Sequence, residues 1–169
     1  MTEHVINEAD IEWTDYDHGK RSFRGKRFTR ASAADELGCS LYEIDPGKRG
    51  WLAHYHEGNE EALFVLDGGG TLWLGPDDTD HELAAGDFVT MPRGPDGQHE
   101  LEAGPDGIRY LAVSTMNDPD ITVYPRQNQV GLYSGAPPGG EKSKRRLSKY
   151  LDIDAEVPYW DDGDGESGE

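Results

Sequence analysis

Turn-forming residues interrupt the middle of this chain roughly every ten positions, and that spacing leaves room for short strands and little else. The markers are Pro46-Gly47, Gly68-Gly69-Gly70, Gly75 through Asp78, Gly86-Asp87 and Pro92 through Gly97. Apolar-rich runs lie among and beside them at 39–44 (CSLYEI), 61–66 (EALFVL) and 109–115 (RYLAVST). Short strands at that pitch predict an all-β sandwich or barrel. Helix signals are thin. Residues 31–37 (ASAADEL) fit a turn or two, and 142–151 fit a short helix.

Composition decides whether such strands can fold at all. Only 34% of the 169 residues are hydrophobic and the net charge is −18, a pairing that also marks disordered chains. Against disorder stand 4 Trp, 8 Tyr and 4 Phe, spread from Trp13 to Trp160. The expectation is therefore one folded domain of 18.7 kDa under an acidic skin. Such a skin suits molar salt, where screening confines self-repulsion to a few ångströms, and points to a halophilic source.

The same numbers exclude functions. A chain this acidic has no basic footprint for nucleic acid, and no apolar run is long enough for a membrane span. The start, MTEHVINEADIEW, lacks the basic flank and apolar stretch of a signal peptide, and the single Cys39 excludes an internal disulfide, so the expected location is cytoplasmic. No G-x-S-x-G elbow and no phosphate loop appear. Cys39 reads as a buried small hydrophobe, and His4, His18 and His81 read as surface residues.

Charge is unevenly distributed. Residues 152–169 carry eight acids and no base. Eleven of the sixteen bases fall in two clusters, Lys20 to Arg30 and Lys142 to Lys149, which read as solvated faces or as contacts to a ligand or subunit.

Chemistry concentrates in residues 50–70. His54 and His56 are two apart, so on a strand both imidazoles leave one face. Glu61 follows a turn, and a hairpin there would bring its carboxylate beside them. Imidazole and carboxylate together suit Mn, Fe, Co, Ni or Zn, although a hydrogen-bonded core pair fits the histidines equally well. Tyr42, Tyr55, Tyr110 and Arg109 are candidates to line a cavity.

A second segment, 86–99 (GDFVTMPRGPDGQH), completes a pattern that resembles the cupin superfamily. That family's first motif, G-x5-H-x-H-x3,4-E-x6-G, is met by His54, His56, Glu61 and Gly68. Its second, G-x5-P-x-G-x2-H-x3-N, is met by Gly86, Pro92, Gly94 and His99. Gly68-Gly69-Gly70 then reads as a hairpin turn within the first motif. Three departures stand out. The leading glycine of the first motif is displaced to Gly47 or Gly50, Pro95-Asp96 lengthens the loop before His99, and Ala103 replaces the family's Asn.

The resemblance implies an all-β double-stranded β-helix, the cupin jelly-roll barrel, with extended N- and C-terminal flanks. It places the barrel at 38–115, a flank packing on it at 1–37, an extension at 116–160 and a disordered acidic tail at 161–169. It implies one divalent transition metal on His54, His56, Glu61 and His99. The function expected is the holding of a small, sugar-like organic ligand in the barrel cavity; the alternative is a metal-dependent dioxygenase or isomerase. Aromatic residues in both flanks need a surface to cover, which leads to an expected homodimer.

The acidic skin yields the first prediction. Raising KCl from about 0.1 M to about 2 M should raise the melting temperature, because screening removes repulsion within the folded chain. A flat or falling curve would contradict the halophilic reading.

Overall fold

The computed structural model describes residues 3–160. Two antiparallel sheets face each other. The strands, in chain order, are β1 (Thr14–His18), β2 (Arg21–Arg27), β3 (Leu37–Ile44), β4 (Tyr55–His56), β5 (Glu61–Leu74), β6 (Thr79–Ala84), β7 (Phe88–Met91), β8 (His99–Thr115), β9 (Asp120–Tyr124), β10 (Gln129–Ser134) and β11 (Leu147–Asp152). The larger sheet runs β1-β2-β3-β8-β5-β6, with β7 also on β5; the smaller runs β11-β10-β9-β4. The architecture is all-β, and the three apolar runs fall within β3, β5 and β8. No helix among the described residues is long and apolar enough to cross a membrane.

Both flanks supply strands. β1 and β2 extend the larger sheet beyond β3, and β9, β10 and β11 build most of the smaller one. Tyr16 stacks on Phe23 at 4.7 Å, and Trp51 meets both edge-on at 4.9 and 4.7 Å. This aromatic group continues through Tyr42 and Tyr110 into a core of Ile44, Leu63, Val65, Leu72, Met91, Leu101 and Ile108.

Three local expectations change. Gly68-Gly69-Gly70 is not a hairpin turn; it lies inside β5, where the pairing with β8 shifts register. A Cβ on Gly70 would stand 2.1 Å from the carbonyl oxygen of Glu102, and one on Gly68 (φ +71°) would stand 2.2 Å from that of Gly107. The glycines serve close strand packing across a bulge, a role that also calls for Gly but reverses no chain. Residues 142–151 do not form a helix. Lys142–Lys144 make a single 3-10 turn, and Leu147–Asp152 pair with β10 as β11. A ten-residue helix is marginal on its own, and the open edge of β10 offers hydrogen bonds that residues 147–152 take. The helical turn expected at 31–37 sits upstream at Phe28–Ala31 (α1), because Leu37 is already in β3. The acidic tail at 161–169 lies outside the described residues.

Glu100 ties these pieces together. Its side chain is fully buried in β8 and meets Arg21 of β2 at 2.6 Å, Arg49 at 3.3 Å and Arg126, which follows β9. Arg49 also reaches Glu102, and Arg126 also reaches Asp78. Removing one member of a buried charged network strands the others. Glu100→Gln should therefore cost about 3 kcal/mol in urea denaturation. Lys144→Ala, which removes an exposed pair with Glu141, should leave the midpoint unchanged.

Candidate metal centre

The site forms where the two sheets meet. His54 precedes β4 and exchanges two backbone hydrogen bonds with His99, at 3.2 and 3.0 Å, so their side chains share a face with ring centroids 4.5 Å apart. The lengthened loop before His99 folds into a 3-10 turn, Pro95–Gly97, and Gly94 N–H donates to the His56 carbonyl at 2.9 Å. Gly97 permits that closure: a Cβ there would stand 1.8 Å from the Pro92 carbonyl oxygen. The two extra residues are thus taken up locally, and His99 still faces His54. His56 comes from the smaller sheet, paired with Thr122 of β9. Glu61 opens β5 in the larger sheet.

Ligand atoms of His54, Glu61 and His99 all lie within 4.8 Å of one another. The nearer Glu61 oxygen is 3.5 Å from His99 Nε2 and 3.6 Å from His56 Nε2. His56 therefore stands beside this triple and faces the same carboxylate.

Each imidazole is held from behind. Nδ1 of His54 lies 2.6 Å from the Leu52 carbonyl, and Nδ1 of His99 lies 2.9 Å from that of Gly97. A carbonyl only accepts, so both Nδ1 atoms carry the proton and both Nε2 atoms present a lone pair. Nδ1 of His56 meets the Asp120 carboxylate at 2.6 Å, which orients this ring the same way. Burial, then the neighbouring His99 and His56, push His54 well below the ordinary histidine range. Burial also lowers His99, against the pull of Glu61. Burial would lower His56 too, but the Asp120 hydrogen bond and Glu61 outweigh it and raise it. Inward Nε2 atoms beside a carboxylate, with His54 and His99 held toward the neutral form, fit a divalent metal, and outward partners of this kind fix metal-binding rings.

Comparison with known proteins identifies the fold that carries this site. The Cupin_2 model, described as a cupin domain, matches residues 40–113. The chain has the cupin fold, and residues 40–113 are its matched cupin domain. A protein from Acidithiobacillus ferrooxidans described as a sugar phosphate isomerase is similar in structure (24% identity, TM-score 0.72, 91% of this chain and 96% of that one). A second sugar phosphate isomerase, from Silicibacter pomeroyi, is 19% identical with TM-score 0.73 over 93% of this chain and 98% of that one. The polyketide cyclase RemF from Streptomyces resistomycificus is 22% identical with TM-score 0.54 over 68% and 80%. At such identities these likenesses show the cupin fold alone. No curated protein matches the chain.

The cupin barrel encloses a cavity of about 460 Å³ that reaches from these histidines to the flanks. Tyr42, Tyr110 and Trp51 form part of its wall. Tyr124 stacks 5.8 Å from His54, and beyond it Tyr133 donates to or accepts from Tyr150 at 2.7 Å. Burial pushes Tyr124, Tyr133 and Tyr110 up, so these phenols stay neutral. Two expected lining residues lie elsewhere. Tyr55 pairs with Val123, and Arg109 joins Glu8 and Glu43. Cys39 is only half-buried and borders the cavity, with its thiol pushed up by burial and so poorly nucleophilic. Ala103, in the slot of the family's Asn, is buried in the core, and His4, His18 and His81 are exposed.

Asp120 is the residue that sequence reasoning missed. It lies 64 residues from His56 and belongs to no local spacing. Its carboxylate also accepts from Gly58 N–H at 3.0 Å. Asp120→Ala leaves His56 Nδ1 only the Thr122 hydroxyl at 3.2 Å and takes the acceptor from the half-buried Gly58 N–H, and should cost about 2 kcal/mol by denaturation. His56 should then titrate at a lower pH by NMR, because the acceptor that favours its charged form is gone.

Proposed function

We propose that this cupin holds one divalent transition metal through His54, His56, Glu61 and His99, and with it a small, sugar-like organic ligand in the adjoining cavity. The observation that carries the reading is the convergence of three back-tied imidazoles on one carboxylate at the cavity wall. Three nitrogens and an oxygen suit Mn, Fe, Co, Ni or Zn without selecting among them. When bound, such a metal supplies a Lewis-acid contact for a ligand oxygen. The chain's own residues do the rest. Trp51, Tyr42 and Tyr110 offer flat faces for the C–H surface of a sugar, and the Tyr124, Tyr133 and Tyr150 hydroxyls offer hydrogen bonds to its oxygens.

A second reading is isomerisation of a sugar phosphate, favoured by the two similar structures that carry that description over nearly their whole length. Isomerisation needs a group that takes a proton from carbon and returns it. Burial pushes the cavity phenols up and makes them poor bases, and Glu61 and the histidines are assigned here to the metal, so we put ligand holding first.

Metal analysis by mass spectrometry on tag-free protein tests the centre. About one equivalent is expected, with a large loss in His54→Ala and in His99→Ala. A metal-free parent that no divalent ion reconstitutes would end the reading. Unchanged binding in His99→Ala would remove that residue from the ligand set. Conversion of an aldose phosphate to a ketose phosphate, followed by NMR, would put isomerisation first.

We also propose a homodimer. Tyr16 and Phe23 are covered within the chain, so support comes from the outer face of the smaller sheet. There Ile121, Leu147 and Leu151 are exposed beside Val123, Val130 and Leu132. Light scattering should give twice the 18.7 kDa of one chain. A single-chain mass at micromolar concentration would refute it.

A further inference from the structure

The two basic clusters meet in space. Arg27 ends β2 and Arg30 lies in α1, while Arg145 precedes β11. All three gather round the loop 136–140. Arg30 donates to the Gly140 carbonyl at 2.9 Å, across 110 residues of sequence. Arg145 donates to the Ala136 and Pro137 carbonyls at 3.2 and 2.9 Å. Arg27 Nη1 lies 4.0 Å from where a Cβ on Gly139 would stand. Arg27, Arg145 and Lys142 line the same cavity as the histidines, with Arg30 behind them.

None of these four cations has an acidic partner among the described residues. That is unusual for this chain, where acids outnumber bases 34 to 16. Among the described residues six of its ten arginines reach a carboxylate, namely Arg21, Arg24, Arg49, Arg109, Arg126 and Arg146, and Arg93 is exposed. The cavity arginines spend their donors on neutral acceptors instead: the Tyr16 hydroxyl takes one from Arg27 at 3.2 Å, and backbone carbonyls take those of Arg145. No carboxylate among the described residues forms an ion pair with them, although Glu141 stands close enough to feel the Arg30 charge. Burial, then the adjacent Arg27 and Arg145 guanidiniums, lower Arg30, which registers the mutual repulsion.

The wall between the two ends is continuous. From His54 it passes to Tyr124 (5.8 Å), Tyr150 (6.0 Å) and Tyr133 (6.0 Å), and the Arg145 guanidinium lies 4.8 Å over the Tyr133 ring. A ligand that touches the histidines can therefore extend along tyrosine faces to the arginines.

We propose that Arg27, Arg145 and Lys142, backed by Arg30, bind a phosphate group at the cavity end opposite the histidines. Several convergent cations, two of them guanidinium forks, match a dianionic tetrahedral group better than a single carboxylate. The proposal rests on reading the cavity as a ligand site and is independent of turnover.

Calorimetry on the tag-free full chain at fixed salt tests it, with inorganic phosphate, glucose 6-phosphate and glucose as probes. Glucose 6-phosphate should bind at least about tenfold more tightly than glucose. Arg145→Gln and Arg27→Gln should each weaken both phosphate probes about tenfold or more, with metal content and melting temperature kept. Arg93→Gln should change nothing. Should Arg27→Gln fail to fold, Arg145→Gln decides. His99→Ala should lower metal content and spare inorganic phosphate, so a lost metal centre and a lost phosphate site are read separately. Equal affinity for glucose and its phosphate, or unchanged phosphate binding in Arg145→Gln, would overturn the proposal. Arginine-dependent binding of inorganic phosphate alone would uphold the site and name free phosphate as its occupant.

Discussion

The buried Glu100 carboxylate is the interaction on which the rest of the molecule depends. It sits in β8 directly after His99 and holds arginines from β2, from the loop before His54 and from the segment after β9. Those three contacts bind the N-terminal flank, the approach to the first histidine and the C-terminal flank to one strand. A buried carboxylate contributes little as a net energy, since desolvation offsets much of the attraction. Its effect is positional. The flanks satisfy it in an arrangement in which His56, from the second sheet, faces Glu61 of the first.

Much of the fold was legible because it is written in short-range signals. Turn residues at regular pitch and apolar runs that fill single strands fixed an all-β chain, and β3, β5 and β8 contain the expected segments. Motif spacing singled out His54, His56, Glu61 and His99, and in spite of the longer loop the geometry groups His54, Glu61 and His99, with His56 beside Glu61. What failed locally failed for tertiary reasons. Gly68-Gly69-Gly70 suits a turn and a close strand crossing alike, and only the carbonyls of Glu102, Leu83 and Gly107 decide between them. The segment 147–152 has no preference strong enough to resist an open strand edge.

Long-range partners were not legible. Asp120 shares no spacing with His56, and Arg145 shares none with Arg27, because each pair is joined by sheet topology and not by period. The basic clusters were visible as charge but not as a place, since a solvated face and a ligand site have the same composition. The distinguishing fact is the absence of acidic partners among the described residues, which only coordinates supply.

The acidic skin and the basic cavity act at different ranges. A net charge of −18 repels an approaching phosphate from outside, while the arginines attract it over a few ångströms once it is inside. At molar salt the screening length is about 3 Å, which nearly abolishes the outer repulsion and leaves contact-range pairing inside the cavity much less affected. At low salt the same chain would resist the ligand at distance and strain its own surface. Added salt thus eases the approach of an anionic ligand to this acidic chain while sparing its contacts inside the cavity, so binding of a phosphate should weaken less with salt than pairing at an exposed cation would.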